Sequence, residues 1–473
     1  MPARRSAPAE VHAPRVALSL RFILVGVVAL LAGTVWLVTR PDLLATYHYN
    51  QYVIAVTHLY VLGWIGSVIM GAMYQLVPVA LETKLHSERL ARWHFPMHVV
   101  GFVGMVAMFQ IWNMKQVGHF GSLMALGVGL FVYNLARTLR KIPRWNVVAA
   151  GIAASLFWLS LTILAGLYLA CAKCWDFSPF EPIAQMHAHA HLGGLGFFVI
   201  MIVTVSYKLV PMFTIGELQS ARRAAWSLML LNAGLAGAFV TILLSSPWKI
   251  VFALIILAGL LAYGWEITVI LRARKRRSLD WGLRYFLTAI AVLIPGSVLG
   301  IVLAWPRLPA TLLTTQLENV YGFLAFVGVV TFAILGMLYK MVPFLVWYAS
   351  YSKAIGRSKV PALAELYSHT LQAVGYWLFV TGLLVTTAAT ALSHQPGVRV
   401  GCLALLAGVI TFVVNIGRTF THLVRPRIEP LVSRPDRSHR REEVENTEAV
   451  SGPLASSPQR LLSVRSVNCQ RST

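Results

Sequence analysis

Charge is scarce in this sequence. Of 473 residues only 12% are charged, with Asp and Glu numbering 17 against 40 Lys and Arg, while 57% are hydrophobic. So few charges cannot clothe a water-soluble surface, and a mean hydropathy of +0.68 places the chain among polytopic membrane proteins. Also missing is a stretch able to form a soluble domain. Residues 1–18 are polar and basic (Arg4, Arg5, Arg15), with no cleavable signal peptide expected, because the apolar run that follows is long enough to remain as a helix. Beyond about Arg425 the apolar runs stop, and the Arg-, Ser- and Glu-rich segment 425–473 reads as a flexible tail. No acidic residue falls near the centre of several helices, as a transporter built on buried carboxylates would show.

What is present is a succession of twelve apolar runs, each about the 20 residues needed to cross a bilayer core. They fall near 19–39, 53–79, 94–114, 118–138, 147–170, 187–213, 223–244, 248–271, 284–305, 318–347, 369–390 and 398–422. The fold class expected is all-α, a twelve-helix membrane domain over 19–424. The net charge of +23 reflects how basic residues are placed and not a nucleic-acid partner. One set of alternating loops is strongly basic, the connection between helices 8 and 9 holding Arg272, Arg274, Lys275, Arg276 and Arg277. The opposite set carries single cations such as Arg40, Lys115, Lys173 and Arg307. The positive-inside rule then puts both termini in the cytoplasm, in a bacterial inner membrane with the lipid bilayer as first partner.

A five-residue cadence recurs three times: Tyr74-Gln-Leu-Val-Pro78, Tyr207-Lys-Leu-Val-Pro211 and Tyr339-Lys-Met-Val-Pro343. Pro211 lies 133 residues after Pro78 (211 less 78), and Pro343 lies 132 after Pro211 (343 less 211). That period is far above the roughly 20–50 residues of solenoid repeats. It marks a triplicated four-helix unit, with repeats over about 19–140, 141–277 and 278–424. Tyr207 and Tyr339 read as interfacial belt residues, Lys208 and Lys340 as snorkelling cations, and each proline as the end of its span.

Twenty residues before the first two prolines stand His58 and His191; the third copy has Phe323 there. Met186-His187-Ala188-His189-Ala190-His191 opens the sixth helix. At 100° per residue His187 and His191 share a face, while His189 points about 200° from either. Ionisable residues in a membrane helix are costly and face the bundle interior, so this helix can present imidazoles to two neighbours or two metal centres. Gly193, Gly194 and Gly196 follow the cluster, and Gly63, Gly66 and Gly71 follow His58. Such glycines serve close helix packing or leave room for a flat macrocycle.

His189-Ala-His191-Leu-Gly-Gly-Leu-Gly-Phe, continuing to Ser206-Tyr207-Lys-Leu-Val-Pro211, resembles the tenth-helix haem motif of the haem–copper oxidase subunit I superfamily. The likeness is closest to cbb-type cytochrome c oxidase subunit I and the nitric oxide reductase catalytic subunit. Thr57-His58-Leu-Tyr-Val-Leu-Gly-Trp64 resembles the same pattern. The resemblance implies twelve helices in three pseudo-symmetric groups of four. It also implies His58 and His191 as axial ligands of a low-spin haem between helices 2 and 6, and His189 as the ligand of a high-spin haem. Further implications are small diatomic substrates and a cytochrome c-type or other redox partner. The chain departs from the family at copper, which needs three converging histidines. Helix 7 has none, and helix 10 opens Gln316-Leu-Glu318-Asn-Val-Tyr321. Copper at full stoichiometry is therefore not expected, and no catalytic residue is assigned.

Cys171-Ala-Lys-Cys174 is followed by Trp175 and not by the histidine of a covalent haem site, so any haem is of b type. The pair reads as a disulfide, as free thiols, or, beside His187, as ligands of copper or zinc. His94 and His98, four apart at the start of helix 3, read as a satisfied interfacial pair, and His369 likewise; Glu318 reads as a polar cap or a substitute ligand. The expected function is haem-based redox chemistry or electron transfer. The rivals are a transporter or metal-handling protein on the same scaffold without haem, and a haemless assembly subunit.

Overall fold

The computed structural model describes residues 16–430. Most of the two expected tails, 1–18 and 425–473, lies outside the described residues. By its internal contacts the chain divides into two units, 1–353 with 361–427, and 354–360 with 428–473. Among the described residues the smaller unit holds an antiparallel ladder pairing Ser358 with Pro430 and Lys359 with Glu429.

The larger unit contains twelve long helices, each expected span recovered to within a turn or two. They are α1 (Val16–Thr39), α2 (Gln51–Ala80), α3 (Glu88–Gln110), α4 (Met114–Leu139), α5 (Val147–Trp175), α6 (Pro182–Thr214), α7 (Ala221–Leu243), α8 (Lys249–Arg272), α9 (Trp281–Leu303), α10 (from Leu312 to Tyr351), α11 (His369–Ala391) and α12 (Gln395–Val424). Eleven are long and apolar enough to cross a membrane. The exception is α3, whose first turns carry Glu88, Arg89 and Arg92. The helices begin where side chains satisfy the orphan N–H groups of a first turn: Asn50 for α2, Asn146 for α5, Glu181 with Pro182 for α6, Asp280 for α9 and a Thr311–Thr314 capping box for α10.

The threefold repeat is visible in hydrogen bonds. In each repeat the third and fourth helices pack closely, and a polar residue of the fourth holds the backbone at the start of the third. Asn134 accepts from the Ser87 N–H and donates to its carbonyl; Asn415 does the same for Ser368. In the middle repeat Glu266 accepts from the N–H groups of Gln219 and Ser220 and pairs with Arg223 at 2.6 Å. Glu266 is fully buried, and three donors converge on its side chain, which satisfies its buried oxygens.

The tyrosine–proline cadence departs from the expectation of an interfacial belt. Tyr74, Tyr207 and Tyr339 are all buried. Tyr74 meets His94 Nδ1 at 3.0 Å, Tyr207 packs on Tyr263, and Tyr339 packs on Tyr285 and Phe412. Lys340 pairs with Asp280 instead of snorkelling. The prolines stand inside their helices, and α10 runs on for two turns beyond Pro343. A proline near a helix end costs little when the hydrogen bond it removes is made good by neighbouring elements.

The repeated helices are also not uniform α-helix. Each contains an eight-residue π-helical segment, Leu59–Gly66 in α2, Leu192–Val199 in α6 and Leu324–Thr331 in α10. Their starts repeat with the same 133- and 132-residue spacing as the prolines (192 less 59; 324 less 192). The α10 segment touches those of α2 and α6, and Trp64 Nε1 donates to Thr331 Oγ1 at 3.0 Å, joining the first repeat to the third. Close approach elsewhere depends on missing side chains: a Cβ on Gly71 would stand 2.4 Å from that of Phe22, so α1 and α2 touch only because residue 71 has none.

Candidate functional site

His58 and His191 are the last α-helical residues before the π segments of α2 and α6, and Phe323 holds the same place in α10. A π segment winds the chain more slowly, so it changes which way the preceding turn faces; such segments concentrate at functional sites. Both imidazoles are fixed alike. His58 Nδ1 lies 2.8 Å from the Ile54 carbonyl, and His191 Nδ1 lies 2.8 Å from the His187 carbonyl. A carbonyl only accepts, so each Nδ1 carries the proton and each Nε2 keeps its lone pair. That is the second-sphere arrangement of a metal-ligating histidine.

Both rings line a cavity of about 820 Å³ with His48, His187, His189, Glu318 and Tyr321 on its wall. The rest of the lining is mostly Leu, Ile, Val, Phe and Gly from the surrounding helices. Its size falls within the roughly 300–1,000 Å³ of cofactor and small-molecule sites. His58 packs against Phe109, ring centroids 4.6 Å apart. His191 stacks on Tyr321 at 5.9 Å, with the phenol oxygen 3.4 Å from Nε2. His189 faces α5: a Cβ on Gly166 would stand 3.1 Å from His189 Cε1. His189 Nδ1 is buried with no hydrogen-bond partner, and His58 lies near enough to act on His189 electrostatically. Five imidazoles thus line one largely apolar cavity, and two of them, His58 and His191, are preset to offer Nε2. The donor set and the space fit a haem.

The remaining expected residues separate. His187 belongs to α6 and meets His48 of the α1–α2 connection, Nε2 to Nε2 3.2 Å. His48 Nδ1 lies 3.5 Å from Glu318 Oε2. These three converge in a way the sequence reading did not anticipate: Glu318 is neither a free cap nor beside the haem-facing histidines. Burial holds the His48 imidazole below the ordinary histidine range, hence neutral at pH 7. Cys171 and Cys174 occupy the last turns of α5, not a loop, and both are free thiols. His94 and His98 are fully buried, not interfacial; their partners are Tyr74 and Ser67, the latter at 2.8 Å. His369 is exposed at the start of α11. The residue the sequence reading passed over is Tyr321. It stands two before Phe323 as His189 stands two before His191, so the repeat register itself could have found it.

The chain is similar to several known proteins. The family described as cytochrome c and quinol oxidase polypeptide I matches residues 10–116, which include α1 to α3. A cytochrome c oxidase subunit 1 homolog (bacteroid) of Bradyrhizobium diazoefficiens is 32% identical over 120 residues, 25% of this chain and 21% of that protein. A cytochrome c oxidase subunit 1 homolog of Agrobacterium tumefaciens is 28% identical over 104 residues, 22% and 19% of the two chains. An uncharacterized protein of Aquifex aeolicus is 28% identical over 297 residues, 61% and 70%. A haem–copper terminal oxidase dimer determined by cryo-EM superposes with a TM-score of 0.65 over 90% of this chain and 89% of that one, at 13% identity. Residues 10–116 thus resemble oxidase subunit I in sequence, and the chain shares its fold with that haem–copper oxidase. Its matches to the two oxidase homologs span about a fifth of their length, so the oxidase scaffold is shared while activity does not follow from it. It is an integral membrane protein of that fold.

Proposed function

We propose that this protein binds haem b in the cavity between α2 and α6 and works as a membrane redox protein, in electron transfer or in the chemistry of a small diatomic such as oxygen or nitric oxide. The observation that carries the reading is the matched pair of Nδ1–H donors to i−4 carbonyls, which leaves Nε2 of His58 and of His191 with the lone pair by which each would hold the haem iron. When bound, haem supplies one-electron redox chemistry whose potential follows from axial ligands, burial and hydrogen bonding. The chain's own groups do the rest. Ile54 and His187 carbonyls fix ring tautomer and orientation, Tyr321 places a hydroxyl beside His191, and the apolar wall excludes water.

A second pairing, His58 with His189, is favoured by their place on one cavity wall and the orphaned Nδ1 of His189. Copper at a haem–copper centre is not part of the proposal. The likeness to oxidase subunits also supports a bacterial inner-membrane location with both termini cytoplasmic and a cytochrome c-type or other redox partner.

The test is optical. Purified protein should give a b-type pyridine haemochrome with at least one haem per chain. His58→Ala should abolish the sharp reduced low-spin bands, whereas His94→Ala should keep them. Comparing His191→Ala with His189→Ala decides the partner of His58. Less than about a tenth of a haem per chain after haem-supplemented expression sinks the proposal and favours a transport, metal-handling or assembly role.

A further inference from the structure

We propose that His48, His187 and Glu318 form a binding site for a divalent metal ion of the zinc class on the wall of the cavity, separate from the haem-facing histidines. The ligand atoms come from three parts of the chain distant in sequence: the α1–α2 connection, α6 and the first turns of α10. They lie within 4.8 Å of one another.

The distances suit one ion. Zinc takes imidazole nitrogen at about 2.0–2.1 Å, so two such nitrogens at a tetrahedral angle stand about 3.4 Å apart. His48 Nε2 and His187 Nε2 are 3.2 Å apart. Glu318 Oε2 lies 3.5 Å from the other ring nitrogen, His48 Nδ1, so its side chain would turn to share the ion. Two imidazoles and one carboxylate are the donor set of catalytic zinc sites. All three side chains line the cavity.

Two further observations bear on the assignment. His48 Nδ1 is buried without a hydrogen-bond partner, with Glu318 Oε2 standing 3.5 Å from it. Against the site stands one cation, Lys249 at the start of α8, which acts on both His187 and Glu318. It weakens metal affinity and makes the site tunable. The other account of the short His48–His187 contact is a plain N–H···N hydrogen bond between neutral rings.

The experiment uses full-length protein purified without a polyhistidine tag, stripped by chelator and equilibrated with Zn²⁺ alone. Bound zinc is counted by mass spectrometry after dialysis at a series of free concentrations. The expected result is one saturable zinc per chain. Its affinity should fall more than about tenfold in His48→Ala and in Glu318→Gln, beyond the lower end of what changes in a metal's outer shell cost. Lys249→Ala should tighten it, and Cys171→Ser with Cys174→Ser should leave it unchanged. Size-exclusion profile and melting temperature report folding independently of haem. Should His48→Ala misfold, His48→Gln is read in its place. Less than about a tenth of a zinc per chain, equal affinity in Glu318→Gln, or loss in the cysteine variant overturns the proposal. Haem content plays no part in these outcomes, so the haem reading stands or falls separately.

Discussion

Histidines in this chain have the same side chain and opposite duties, and what divides them is where each Nδ1 and Nε2 points. His58 and His191 spend Nδ1 on a carbonyl one turn back and keep Nε2 for the cavity. His94 spends Nδ1 on the Tyr74 hydroxyl, and His98 spends Nε2 on Ser67, both within the packed core beside Phe22. Each satisfies one buried hydroxyl in this way, while His94 Nε2 and His98 Nδ1 are buried without a hydrogen-bond partner. His94→Ala leaves the Tyr74 hydroxyl without this contact and opens a void beside Phe22 and Phe131. We expect it to cost about 2–3 kcal/mol. It should appear as a lower melting temperature in detergent, with the visible spectrum unchanged. An altered spectrum with unchanged stability would place His94 at the redox site instead. The sequence could not separate these roles, because a pair four apart at the start of a helix looks the same whether it faces headgroups or core.

The element that decides the site is the π segment. Leu59–Gly66 and Leu192–Val199 read as unbroken apolar helix, since hydropathy is blind to whether the backbone hydrogen bonds run to i−4 or i−5. The repeat was legible in the Tyr-x-x-Val-Pro cadence, and so was the place of His58 and His191 within it. The burial of the tyrosines was not. It depends on rings remote in sequence: Phe131 against Tyr74, Tyr263 against Tyr207, and Tyr285 with Phe412 against Tyr339. A π segment is an α-helix with surplus length, and removing one residue lets it relax to regular α-helix. Deleting Leu62 should therefore replace the wide turn that follows His58 with a regular one and change how His58 faces relative to the proline end of α2. Deleting Leu195 should do the same to His191. Each deletion should still insert into the membrane yet lose the low-spin haem bands. Full haem content in either would show that the π segments do not set the histidine register.

For the whole molecule, twelve helices were readable from hydropathy and the oxidase fold from the resemblance of the histidine motifs, whereas the meeting of His48 with His187 across 139 residues was not readable. Which way the bundle faces rests on charge. The α8–α9 connection carries Arg272, Arg274, Lys275, Arg276 and Arg277, and the α9–α10 connection only Arg307. Cationic side chains resist translocation, so the first connection should be cytoplasmic and the second external, on the side where α2, α6 and α10 begin with their cavity-lining groups. In a cysteine-free background Lys275→Cys and Arg307→Cys place a thiol at an exposed position of each connection. A membrane-impermeant maleimide added to intact cells should label residue 307 and spare residue 275 until the cells are opened. The reverse result would turn the histidine cavity toward the cytoplasm. A redox partner and the metal supply for His48, His187 and Glu318 would then have to be sought on that side.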